Sequence, residues 1–337
     1  MVLAAAWLAA APPLARAQQE TTIRFLLEGG FDGPAALFVT PAAKGYFKAE
    51  RLNVLLDANN GGGGTVARVA SGSYDMACAD FAALMEFHAN NPAMANKPVA
   101  VMVVYNNSPT AVLTLKQSGI RGPADLAGKK IGAPPFDPGR RAWPIFARLN
   151  KVEDVAWTSM NAPLREMMLV RGDVDAITGL APSVLLDLEA RGAKREDIVV
   201  MPYGQHGVKL YGNVVIAGEE LLKKSPEGVK AFLRAFTKGV RDVVADPQAG
   251  VGFVKQRDGV LDEALELRRL ELTLEYGVVT ADARADGFGD VNGSRLSLMA
   301  SQVSDAFATR ERVNPNAVWN GSLLPGASAR NIFAPRR

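Results

Sequence analysis

The chain of 337 residues has a single cysteine, Cys78, and only two histidines, His88 and His206. One cysteine excludes an internal disulfide. Because it lies well inside the chain, it offers no lipid-anchor site behind a leader, and it reads as a small buried residue. No His-x-x-x-His or Cys-x-x-Cys spacing supplies a transition-metal ligand set. No Gly-x-Ser-x-Gly elbow is present, and Ser304 beside Asp305 has no histidine base near it in sequence, so the parts of a hydrolase are missing. A large excess of one charge sign is absent as well. With 38 basic and 35 acidic residues the formal charge is +3, and no basic field points to nucleic acid. No stretch supplies the roughly 20 uncharged apolar residues of a spanning helix.

What is present begins with MVLAAAWLAAAPPLARA, an apolar run closing on Ala15-Arg16-Ala17. A short apolar core before a small-x-small site predicts a cleavable secretory signal over residues 1–17 and export to a bacterial periplasm. The remaining length is large for one core and favours a body of two lobes.

The most informative stretch is 52–80: LNVLLDA, NNGGGG, TVARVASGSYD, MACAD. A β-branched apolar run enters a glycine turn, a short amphipathic helix begins at Thr65, and a second strand ends on Asp80. Glycines let backbone approach a ligand closely, and a helix start offers unpaired N–H groups. No Gly-Lys-Ser/Thr ending follows, so this is not the phosphate loop of a nucleotide hydrolase. Gly62, Gly63, Gly64 and Thr65 are therefore candidate contacts to the edge of a small polar molecule, with a plain glycine-rich turn as the alternative.

Strands and helices alternate through the first half: strands at 22–27, 52–57, 75–79 and 99–105, with helices at 34–47, 65–71 and 81–90. That alternation predicts a parallel sheet of βαβ units. The pattern pauses at Asn106-Asn107-Ser108-Pro109 and resumes with strands at 111–115, 130–133, 154–158, 175–178 and 198–201, and helices at 138–150, 163–171 and 182–191. After an extended passage at 208–217 the chain is mainly helical, with helices at 229–244, 261–276 and 294–307. The expected division is residues 18–108 plus 214–337 as lobe one and 109–213 as lobe two. Two crossings join them, with the C-terminal helices packed on lobe one. Ligands of open parallel sheets sit beyond the carboxyl ends of the strands, so two such edges facing each other make a cleft that can close.

Candidate contacts cluster on the strand-end loops. Phe31 can supply an aromatic wall. Asp32 either caps the helix at Pro34 or meets solute, and Asp80 has the same two options before Phe81. In Pro134-Pro135-Phe136-Asp137-Pro138-Gly139-Arg140, Asp137 can cap, while Arg140 stands in a first helical turn where a cation is unfavourable. An anionic solute or a surface pair with Asp137 would each account for it. Asn213, in the second crossing beside Tyr211 and Gly212, can reach the gap. Glu166 is expected to be solvent-exposed, and His88 to be a surface or helix-capping residue rather than a ligand.

These residues resemble the solute-binding proteins of ATP-driven bacterial importers, in the nitrate/alkanesulfonate/taurine group that also includes binders of thiamine-pyrimidine precursors. The similarity is carried by Lys44-Gly45-Tyr46-Phe47, Leu52-Asn53-Val54, Val69-Ala70-Ser71-Gly72, Tyr74-Asp75 and Ala79-Asp80. In the second half it is carried by residues 125–132 (DLAGKKIG), Gly172-Asp173-Val174-Asp175-Ala176, Tyr211-Gly212-Asn213 and Ser225-Pro226-Glu227. The resemblance implies a type II periplasmic-binding fold: two α/β lobes with a double hinge crossover and solute trapped between them. It would place Phe31, Asp32, the 62–65 turn, Asp80, Asp137, Arg140 and Asn213 around that solute. The expected function is the binding component of an importer, taking a small organic solute, with an anionic one (sulfonate or carboxylate) preferred over a heterocycle. The expected partners are that solute and an inner-membrane permease, with no nucleic acid, no cofactor and a single copy of the chain. The cysteine-rich motif of the related pyrimidine-synthesising enzyme has no counterpart here. An exported enzyme with Asp80 or Glu166 as base, or a sensor domain, is the alternative.

Overall fold

A computed structural model describes residues 20–59 and 64–333; the leader at 1–17 and the turn glycines Gly62 and Gly63 lie outside the described residues. The chain runs β1 (Thr21–Leu26), α1 (Ala36–Ala43), α2 (Tyr46–Ala49), β2 (Leu52–Asp57), α3 (Thr65–Ala70), β3 (Met76–Asp80), α4 (Phe81–Asn90) and β4 (Val99–Val103). After the first crossing come β5 (Thr110–Leu115), β6 (Lys130–Ala133), α5 (Pro138–Asn150), β7 (Ala156–Ser159), α6 (Ala162–Arg171), β8 (Ala176–Leu180), α7 (Ala181–Ala190) and β9 (Ile198–Pro202). The second crossing leads to β10 (Asn213–Ala217), then α8 (Glu219–Lys224), α9 (Pro226–Ala245), α10 (Pro247–Arg257), α11 (Glu263–Thr273), α12 (Ala281–Asp286), α13 (Gly293–Ala306) and α14 (Pro315–Val318).

The strands assort into two five-stranded sheets, ordered β2-β1-β3-β10-β4 and β7-β6-β8-β5-β9. Neither is wholly parallel, contrary to the expectation from alternation alone. β10 is antiparallel to β3 and β4, and β5 is antiparallel to β8 and β9. The cause is the crossing itself. β4 leaves its sheet at the carboxyl edge facing the gap, so β5 enters the second sheet from the gap side and must run away from it; β10 does the same on the way back.

Where the sequence suggests one helix over 34–47, the structure has a 3-10 turn at Gly33–Ala35 and two helices broken at Gly45, whose φ of 70° is a left-handed conformation that glycine adopts without strain. On the outer face of the first sheet, Phe25, Phe38, Phe47, Phe232 and Phe236 form one ring cluster with centroids 4.8–6.2 Å apart. The rings of α9 in that cluster come from its apolar stripe Val229, Phe232, Leu233, Phe236, Val240 and Val243, all buried. Each such side chain contributes roughly 1.5–3 kcal/mol on removal from water. Ser225 stands at the start of α9 as its sequence suggests, with Pro226 following, but its hydroxyl makes no capping bond. The C-terminal helices pack on the first sheet through α9 and α10, and they also reach across: α11 touches α7, and α13 lies against both α4 and α5.

α1 crosses α9 where Pro41 meets Gly239, and a Cβ on Gly239 would stand 2.5 Å from the Pro41 ring. A proline ring cannot swing aside. Gly239→Ala is therefore expected to destabilise by roughly 1–3 kcal/mol through overpacking, read as a lower denaturant midpoint with an unchanged slope.

Candidate functional site

The carboxyl edges of both sheets face one cavity of about 700 Å³. From the first sheet, Glu28 follows β1, Asp80 closes β3 and Asn213 opens β10, with Asn213 and Asp80 directly paired across the ladder. Gly64 and Thr65, where α3 begins, lie beside them, with Asn59. From the second sheet come Thr110 at the start of β5, Leu180 at the end of β8, and Phe136, Pro138 and Arg141 at the start of α5. Glu86 and Phe87 of α4, Tyr105 and Tyr211 of the crossings, and Phe307 after α13 complete the wall.

One side of this cavity carries two carboxyl groups, Glu28 and Asp80, beside Asn59 and Thr65. Asn59 donates its amide N–H to the Thr65 hydroxyl at 3.0 Å, and Thr65 hydrogen-bonds the Glu28 carboxylate. With the Asn59 NH2 on Thr65, the amide oxygen is turned away from that hydroxyl. That buried oxygen has no partner among the described residues. Asp80 accepts the Ala83 N–H at 2.8 Å with one carboxylate oxygen, capping α4. Glu28 opens onto the cavity, yet the protein around it, and secondarily the charge of Asp80, push its pKa up to about 8. Burial pushes Asp80 up to about 6, against the capping bond and the charge of Arg141. The one arginine on this wall, Arg141, is engaged: it pairs with Glu86 at 2.6 Å across the mouth and lies over the Phe307 ring at 4.3 Å.

Of the residues singled out in the sequence, Gly64, Thr65, Asp80 and Asn213 come together here. Phe31, Asp32, Asp137 and Arg140 do not line the cavity. Phe31 lies under the Arg257 guanidinium at 4.4 Å, and Asp32 caps the 3-10 turn through Ala35. That turn is held against α11: the Gly33 N–H donates to the Glu266 carboxylate at 2.7 Å, and a Cβ on Gly33 would stand 2.1 Å from the Glu266 carbonyl oxygen. Burial and Glu266 raise the pKa of Asp32 to about 6. Asp137 is not in a surface pair. Its carboxylate takes the Arg140 backbone N–H at 2.9 Å, the Thr178 hydroxyl at 2.7 Å and buried Arg165 at 3.2 Å. The Arg140 side chain turns outward to the Ala133 carbonyl and the Ser159 hydroxyl, over Trp157. Glu166, expected in solvent, is buried and paired with Arg165. His88 is buried, donating to the Pro98 carbonyl at 2.8 Å.

Glu28, Asn59, Glu86 and Arg141 were missed. Arg141 follows Arg140 by one residue, and 100° of helical rotation separates a side chain facing the gap from one facing Trp157. Glu28 reads as the first residue of a loop and carries no local sequence signal.

Two outcomes follow. Asp137→Ala leaves Arg165 buried with one carboxylate fewer and removes the α5 cap, so a loss of about 3–5 kcal/mol is expected in chemical denaturation. Glu28 and Asp80 hold protons in the folded state at pH values where the unfolded chain has released them. Folded stability therefore falls as pH rises from about 4 toward 8. Glu28→Gln is expected to flatten the upper part of that slope, measured as denaturant midpoint against pH.

Comparison with known proteins places this geometry. The chain is 23% identical to the riboflavin-binding protein RibY of Chloroflexus aurantiacus, over 74% of this chain and 73% of that one. It is 28% identical to the 4-amino-5-hydroxymethyl-2-methylpyrimidine phosphate synthase of Aspergillus parasiticus, over 61% of this chain and 62% of the synthase. Among solved structures, the periplasmic aliphatic sulphonate binding protein SsuA of Escherichia coli superposes with a TM-score of 0.71 at 14% identity, covering 90% of this chain and 94% of that one. The alkanesulfonate-binding SsuA of Xanthomonas axonopodis pv. citri, bound to MOPS, gives a TM-score of 0.62 at 15% identity, covering 90% and 99%. At these identities the structures speak to the fold, which is the periplasmic-binding fold of two α/β units. The model of the NMT1/THI5-like family matches residues 35–250, well over half of the sequence, and the chain belongs to that family.

Proposed function

We propose that this protein is the solute-binding component of an ABC-type importer, a periplasmic receptor that captures a small organic solute between its two lobes without transforming it. The lobes would be residues 18–108 with 214–337, and 109–213. The observation that carries the choice of solute is a wall with two carboxyl groups and no cation in contact with them. Glu28, Asp80 and Asn59 line the cavity, while its arginine is already paired with Glu86. An anionic group would meet the Asp80 carboxylate at a cost, whereas a nitrogen heterocycle offers N–H donors to Asp80 and a ring nitrogen to protonated Glu28. The heterocyclic class is therefore favoured, which reverses the preference for an anion drawn from the sequence. Phe87, Phe136 and Phe307 supply apolar faces for a ring, and Phe136 at 87% exposure has little else to cover.

An enzyme is the second reading, because two relatives are synthases. Of the two bases that reading names, Glu166 is buried against Arg165 outside the cavity and Asp80 lines it while capping α4. The Cys78 thiol is buried and His88 is engaged by Pro98, so no nucleophile stands paired with Asp80 among the described residues. Export and delivery to a membrane permease are part of the same proposal. Among the described residues no helix is long and apolar enough to cross a membrane.

Thermal-shift and calorimetric screening of aminopyrimidines, riboflavin and alkanesulfonates tests it. A ring solute at 100-fold its Kd is expected to stabilise by about 2.7 kcal/mol, with Glu28→Gln weakening it and mass spectrometry finding it unchanged. Tight binding of sulfonates alone would overturn the solute assignment. Turnover would overturn the receptor.

A further inference from the structure

The two crossings are not free strands. Tyr105 accepts from the Gly212 N–H at 2.9 Å and Leu210 from the Ser108 N–H at 3.0 Å, so the outgoing and returning segments are bonded to each other. Their backbones approach so closely that a Cβ on Gly212 would lie 2.9 Å from the Tyr105 Cβ and 3.2 Å from the Asn107 carbonyl oxygen.

Over this junction sits one side chain, Arg295, from the first turn of α13. It donates to the Asn106 carbonyl at 2.7 Å, the Asn106 side chain at 3.0 Å and the Asn107 side chain at 2.8 Å, all in the outgoing crossing. It also donates to the Lys209 carbonyl at 2.9 Å and the Leu210 carbonyl at 3.3 Å in the returning one. Its guanidinium stacks on Tyr211 at 3.9 Å, and the Tyr211 hydroxyl in turn accepts the Asn292 N–H at 2.8 Å where α13 begins. This side chain is only 9% exposed, its nearest carboxylate is Asp282 at 3.9 Å, and burial pulls its pKa down. This guanidinium offsets its desolvation mainly with hydrogen bonds to carbonyl and amide oxygens, with Asp282 as a more distant counter-charge. Its five donors in a fixed plane suit that task, where a lysine ammonium could reach only part of the set.

The far end of the same helix meets the second lobe. Phe307, which ends α13, lies against Arg141 of α5, the residue that pairs across the cavity mouth with Glu86 of α4. α13 therefore runs from the junction of the crossings to the mouth, touching α4 and α5 on the way. Any change in the angle between the lobes shifts α5 against α4, moves α13 with one or the other, and loads the bonds of Arg295.

We propose that Arg295 is a positioning residue that sets the angle between the two lobes by clamping both chain crossings to the start of α13. This rests on the reading of the protein as a two-lobed receptor, because only there does the angle govern capture. The role is mechanical: Arg295 holds the crossings, the crossings hold the lobes, and α13 transmits the setting to the Glu86–Arg141 pair. A ligand shifts such an equilibrium only by its differential affinity for the two states, so the clamp decides how much of that affinity closure consumes.

The test measures the angle without solute. Nitroxide labels at Ser73 and Gln117, exposed positions at the outer ends of the two sheets, are read by pulsed electron resonance in a Cys78→Ala background. One narrow distance distribution is expected with Arg295 intact. Arg295→Lys and Arg295→Ala are expected to broaden or shift it while amide-exchange protection in both sheets is kept. Asn107→Ala, which removes one acceptor, is expected to broaden it less. Should Arg295→Ala fail to fold, the lysine variant and Asn107→Ala carry the comparison. Folded variants whose distributions stay as narrow and as centred as that of the parent would overturn the clamp. That result would leave the receptor reading standing, since that reading falls only to the absence of solute binding or to turnover.

Discussion

A polypeptide that passes from one sheet to a facing one and back again is constrained by direction. It leaves through an edge that borders the gap and enters through another that borders the same gap, so the strand that arrives runs opposite to its neighbours. β5 and β10 obey this, and the rest of the cavity depends on them. Because β10 arrives antiparallel beside β3, its first residue, Asn213, stands next to the last residue of β3, Asp80. Because β5 arrives beside β8, Thr110 stands next to Leu180. Strand ends brought from distant parts of the chain thus become neighbours at the gap.

The polar side of the cavity follows from the same placement. Carboxyl ends of parallel strands deliver Glu28 and Asp80 to one wall, and neither finds an arginine or lysine in direct contact among the described residues. Their protons are held because the folded chain removes water without supplying a full counter-charge. The second unit deals with its own buried charge differently. There one guanidinium, Arg165, answers both the Asp137 and the Glu166 carboxylates. The loop that carries Asp137 is the most unusual in the sequence, and that unusual composition is spent on internal scaffolding. A buried carboxylate answered by a guanidinium braces the fold, whereas one at the cavity wall with no cation in contact keeps its proton more readily and is open to a donor from a solute.

That contrast explains how much was legible beforehand. β2, β6, α4 and α5 lie where the pattern of apolar residues, prolines and caps puts them, since those signals are local. The helix caps at Asp32, Asp80 and Asp137 are equally local, and all three caps form. The reversed direction of β5 and β10 was not legible, because strand direction is decided by where the chain comes from and not by its residues. The burial of Glu166 was hidden because its environment depends on Arg165 turning inward to Asp137, 28 positions earlier in the chain. The exchange of Arg140 for Arg141 turned on helix phase, which a charged pair at a helix start leaves undetermined.

The Glu86–Arg141 pair at the mouth links these strands of argument. Ion pairs at the surface contribute roughly 0–1 kcal/mol, and this half-buried one is a single contact that does not by itself hold two lobes together. What it can do is report and bias their separation, since α4 and α5 belong to different sheets and α13 touches both. The stronger restraint lies at the opposite end of α13, where many bonds converge on a side chain shielded from water. A weak, exchangeable contact at the mouth and a strong, buried one at the hinge form a sensible division. The hinge sets the resting angle, while the mouth can be opened, or closed over an arriving solute, at small cost.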